Sequence, residues 1–130
     1  LRVRIAQIVG RWTLSPALCG LAPGAKAAGK DVRREKLESG DFVRLSLEGT
    51  RRVVEVATGR KDLPEPRRAQ VLFQPADGGD LVRVEVAVEP DRGNPGHFYG
   101  RTELDEGQTL PIECKVDLDW LESTGEDAGG

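Results

Sequence analysis

Apolar and polar residues trade places with period two along most of this chain, and each alternating run is short and bounded by turn residues. Alternate residues of a strand face opposite sides, so this pattern buries one face of a sheet and wets the other, which a helix cannot do. Leu1-Arg2-Val3-Arg4-Ile5 alternates, and Ile8 and Val9 end that first strand. Phe42–Leu47 (FVRLSL) is a second, closed by the hairpin-type turn Glu48-Gly49-Thr50. Arg52–Val56 returns as a third and stops at Gly59, and Ala69–Gln74 is a fourth. Asp77-Gly78-Gly79-Asp80 turns the chain into Leu81–Val88. There Val82, Val84, Val86 and Val88 share one face, and Arg83 and Glu85 the other. Phe98–Leu104 and Ile112–Leu118 complete seven strands. The expected class is all-β, an antiparallel sandwich of about eight strands over residues 1–122. Ser15–Lys36 is the one long insertion, and its end, Lys30–Lys36, reads as a short charged helix. Ser123–Gly130 reads as a disordered acidic tail.

At 130 residues, 38% hydrophobic and 32% charged, the chain is one globular domain with a real core. No apolar run is long enough for a membrane helix, and the alternating arginines of LRVRIAQIVG do not suit a signal-peptide core. A sequence that starts at Leu1 and lacks Met reads as a piece of something longer. Cys19 and Cys114 stand far apart with no CxxC and a single His in the chain, too few ligands for zinc. Two free thiols in a reducing compartment are expected, with a disulfide left open.

Net charge is −3, unevenly spread: residues 1–102 hold 18 Lys and Arg against 13 acids, and residues 103–130 one Lys against nine. The body is mildly basic and the tail acidic, a balance that draws an anionic partner only weakly.

In order, the pieces resemble a C2 domain, the β-sandwich module that binds lipids and proteins. LRVRIAQIV is similar to that family's first strand. Ser39-Gly40-Asp41-Phe42-Val43-Arg44-Leu45-Ser46-Leu47 is similar to its SDPYVxVxL strand. Pro66–Phe73 is a loose version of its aromatic segment without the Trp. Leu81–Val88 followed by Glu89-Pro90-Asp91 sits where LxxxVxDxD belongs, and His97-Phe98-Tyr99-Gly100 where DFIG belongs.

Many C2 domains hold calcium with aspartates converging from these loops, because a hard cation takes six to eight oxygens. Carried over by position, the third-loop aspartates fall on Glu89, Asp91 and His97, of which only Asp91 is unchanged. Glu89 is a methylene longer and His97 offers nitrogen, a poor calcium ligand. The first-loop aspartate falls on Gly40, with Asp41 displaced by one residue. Convergent charge is insufficient, so no calcium, no other metal and no cofactor is expected.

Nucleophile–base pairings would all have to use the lone His97, and no GxSxG, HExxH or P-loop pattern is present, so no catalysis is expected. An aromatic share of 5% leaves few stacking platforms for nucleic acid. The resemblance places Arg44, Arg51, Arg52, Arg60, Lys61, Arg67 and Arg68 on a basic concave face. Such a face recruits anionic headgroups at about 1 kcal/mol per cation, although Glu48, Glu55, Asp62 and Glu65 interleave and dilute it. Leu14, Leu18 and Leu21 are the apolar candidates for loop insertion, and Trp12 reads as core or as a strand-end anchor. The expectation is a calcium-independent module of a larger cytoplasmic protein, peripheral to a membrane if lipid is its ligand. It docks a protein partner or weakly binds an anionic phospholipid membrane. The alternative is a structural assembly domain with no lipid affinity.

Overall fold

The computed structural model describes residues 3–21, 32–37, 39–61, 63, 65 and 67–121. The expected tail, Ser123–Gly130, lies outside them. The seven expected strands are all present, several a residue or two longer than the alternation marks: β1 (Val3–Thr13), β3 (Phe42–Glu48), β4 (Arg51–Thr58), β5 (Arg68–Pro75), β6 (Val82–Ala87), β8 (Phe98–Glu103) and β9 (Glu113–Leu121). Two further strands are β2 (Val32–Lys36) and β7 (Glu89–Pro90), and the one helix among the described residues is α1 (Pro16–Cys19).

The strands form two antiparallel sheets, ordered β1-β9-β5-β6 and β2-β3-β4-β8-β7, the all-β sandwich that the alternation implies. Between them lie Val43 and Leu45 of β3, Val54 and Val56 of β4, Val71 and Phe73 of β5, Val84 and Val86 of β6, and Val116, Leu118 and Trp120 of β9. Trp12 packs edge-on against Phe73, ring centroids 6.3 Å apart. Burial of this kind is worth about 1.5–3 kcal/mol per large side chain.

The helix expected over Lys30–Lys36 is instead β2 where the chain is described, pairing Val32–Lys36 with Phe42–Ser46. An edge strand exposed on both faces carries no apolar alternation, and all five of its residues are exposed. The real helix came earlier. Ser15 caps it, accepting from Leu18 N, Pro16 starts it, and Gly20 at φ 88° ends it in the left-handed region. It turns Leu18 into the core, and Leu14 is buried beside it, so of the three candidate insertion residues only Leu21 is exposed.

The long Leu81–Val88 run is also divided. β6 ends at Ala87, and Val88, whose N–H donates to Arg67 O at 3.0 Å, carries the chain across to β7 in the other sheet. That crossing lies directly on Gly100 of β8: a Cβ there would come within 2.8 Å of the Ala87 carbonyl carbon and nearer still to its oxygen. The opposite corner is tied by Arg33 of β2, which donates to Thr13 O of β1.

Candidate functional site

The outer face of the five-stranded sheet carries a set of cross-strand ion pairs. Register places Arg44 opposite Glu55, and Glu55 opposite Arg101, across β3, β4 and β8. Arg44 reaches Glu55 at 3.5 Å, Arg51 reaches Glu103 at 3.1 Å, and Arg101 pairs with Glu48. The Arg101–Glu48 pair runs diagonally from β8 to β3 and so crosses β4 at Val53, which is fully buried although it faces away from the core. Tyr99 donates its hydroxyl to Glu55, which is itself buried. Burial and the neighbouring Glu55 carboxylate together push the Tyr99 hydroxyl up to about 12. The hydrogen bond from Arg101 holds the Glu48 carboxyl below its ordinary value. On β2, Arg34 stacks over Phe42, 5.0 Å from the ring centroid.

The seven residues expected to make a basic face do not assemble into one. Arg44 and Arg51 belong to the face just described. Arg52 points inward at 4% exposure and donates to Asp105 O at 2.6 Å and Leu18 O at 3.4 Å, tying α1 and the loop after β8 to β4. Its side follows from the alternation, since Arg52 shares parity with the inward Val54 and Val56. Arg60 turns onto Asp41 at 3.2 Å. Lys61 is exposed in the following loop. Arg67 pairs with Glu65 and stacks 4.3 Å over Phe98. Arg68 lies on the other sheet and pairs with Glu85 at 3.5 Å. Arg101 and Glu103 were not singled out by sequence, and Tyr99 stood there only in the segment matched to DFIG, because only strand register brings the three beside β4.

Of the loop positions matched to calcium ligands, the carboxylates of Asp41 and Asp91 are committed elsewhere. Asp41 is fully buried and accepts from Thr58 Oγ1 (2.7 Å), Trp120 Nε1 (2.8 Å), Gln7 Nε2 (2.9 Å) and Arg60 Nε (3.2 Å). Ser39 in turn donates to Gln7 Oε1 at 2.7 Å. Gly40 sits at φ 89° in the turn between β2 and β3. Asp91 accepts from Gly93 N at 3.0 Å, closing a tight turn on itself, and Glu89 is exposed on β7. His97 is exposed beside them, its N–H donating to Asn94 O and its carbonyl accepting from Asp91 N. Among the described residues no three His, Cys, Asp or Glu stand together as a metal ion needs.

Cys19 and Cys114 are both free and buried. Burial pushes both thiols up, Cys114 to about 11, while Arg52 pulls Cys19 back only in part. Thiolate is the reactive form. An Ellman titration at mildly alkaline pH should therefore find no fast-reacting thiol in the native protein and two after denaturation. Fast native labelling would contradict this burial.

Comparison with protein-family models, with curated proteins and with solved structures finds no match to this chain. No helix among the described residues is long and apolar enough to cross a membrane.

Proposed function

We propose that this domain is a non-catalytic, calcium-independent protein-docking module, the protein-binding side of what the resemblance of its sequence motifs to a C2 domain implies. One observation carries the reading. On the outer face of the five-stranded sheet, Arg44 and Arg51 each already hold a glutamate from the adjacent strand, and Arg101 holds Glu48 across β4. A surface patterned in both signs gains little from an anionic bilayer, because each cation must give up its own partner to reach a headgroup. It matches a protein surface of complementary pattern, where charge sets register and specificity. Saturation of Asp41 by four donors, one a guanidinium, supports the calcium-independent part.

Sedimentation with vesicles containing phosphatidylserine and phosphoinositides tests it. The protein should stay in the supernatant at physiological salt, with or without calcium. Pelleting that Arg44→Glu with Arg51→Glu abolishes would overturn the reading and restore the lipid face.

A further inference from the structure

The two sheets have four edges, and three carry the devices that stop strands pairing with strangers. β1 is broken by irregularities between Val3 and Ile5 and between Ile8 and Gly10. β2 is Val-Arg-Arg-Glu-Lys, exposed throughout. β7 is two residues long and ends in Pro90. β6 has neither a break nor a proline, and Arg83 and Glu85, of opposite sign, are the charges it carries. It pairs with β5 in unbroken register from Arg68↔Ala87 to Phe73↔Val82, and no described strand covers its other side.

What that edge offers follows from the ladder. Val88 N–H donates to Arg67 O, so the even-numbered residues of β6 turn their main-chain groups toward β5. Arg83, Glu85 and Ala87 turn theirs outward. The Ala87 carbonyl lies against Gly100, and Arg83 and Glu85 have N–H and C=O groups with no main-chain partner among the described residues. Their side chains are exposed on the outer face, while Val84 between them and Val86 after them are buried in the core.

We infer that β6 pairs antiparallel with β6 of a second copy of this chain, about a two-fold axis at Val84. The sequence is self-complementary in that register and in no neighbouring one. Val84 faces its own counterpart as a non-hydrogen-bonded pair, and Arg83 lies opposite Glu85 of the second copy on both sides of the axis. Both hydrogen-bonded pairs use the free groups, and both bring opposite charges across from each other. A shift by one residue in centre, to Arg83 or Glu85, would set like charge on like. The two four-stranded sheets then run on as one, and their valines make a continuous inner layer. This closed, isologous pairing also consumes the open edge, where an open-ended pairing would propagate.

The inference rests on reading the domain as a docking module, and names a partner for a surface other than the paired-charge face. Sedimentation equilibrium of the whole chain, from micromolar to submillimolar, tests it. The wild-type chain should shift toward twice its mass as concentration rises. Arg83→Glu and Glu85→Arg should each hold at the single-chain mass, and the double exchange should regain the dimer, since it restores both pairs with reversed sign. Glu85→Pro, which removes an outward N–H and no ladder bond to β5, should also stay single. A wild-type chain that remains single throughout, single variants that pair as the wild type does, or a double exchange that stays single would each overturn the inference. Vesicle sedimentation would still judge the docking reading separately.

Discussion

Gly100→Ala should cost more stability than a methyl added at any other described glycine, about 3 kcal/mol or more, and can leave the domain unfolded given total stabilities of about 5–15 kcal/mol. The added carbon would meet main chain. It would stand within 2.8 Å of the Ala87 carbonyl carbon, nearer still to the oxygen, and 3.0 Å from Val88 Cγ1. Gly100 is held by pairing with Val56 of β4, and Ala87 by pairing with Arg68 of β5. Neither strand can retreat without opening a sheet. Gly107→Ala is the matched control, because a Cβ there meets nothing within 4 Å and the backbone is not in the left-handed region. Urea unfolding of the two variants beside the wild type decides it. Equal midpoints for Gly100→Ala and Gly107→Ala would mean that the crossing from β6 to β7 does not lie on β8 as described.

How much of this was legible in the sequence depended on whether a residue's role is set by its own strand or by the strand beside it. The valines of 82, 84, 86 and 88 declared their face because burial imposes period two, and the class of fold followed from several such runs. β2 was illegible for the complementary reason: an edge strand wet on both sides has nothing to alternate. Arg52 and Val53 illustrate a harder case. Val53 faces outward yet is fully buried, beneath the diagonal from Arg101 to Glu48, so both sides of β4 read as apolar and the inward turn of Arg52 is masked. The paired-charge face depends wholly on register, since Glu103 lies 52 positions from Arg51 and Arg101 lies 53 from Glu48. A linear reading sees seven cations and sums them. The folded chain divides them between two outer faces, a loop and the interior.

Asp41 supplies the second large effect and the one that titrates. It stands at the end of the sandwich, and its four donors come from β1, β4, β9 and the loop after β4, so one carboxylate fastens both sheets. Asp41→Asn keeps the shape, but replaces one accepting oxygen by an NH2 facing donors and leaves the Arg60 guanidinium without its anion. Breaking a buried charge pair in this way costs about 3–5 kcal/mol. Burial alone would push this carboxyl up, but the hydrogen bonds from Thr58, Trp120, Gln7 and Arg60 outweigh it and hold Asp41 below the ordinary aspartate value. A group depressed in the folded state contributes its full stability above its unfolded pKa of about 3.9, and loses it as pH falls through the folded value. The gap between wild type and Asp41→Asn should therefore stay constant from neutral pH down to about 4 and close below it, as the wild type protonates and the variant does not. Unfolding midpoints measured across that range check both the size and the sign. No gap at neutral pH would remove Asp41 as the fastening between the sheets, and a gap that widens in acid would mean that the burial of the carboxylate, rather than its donors, governs its proton.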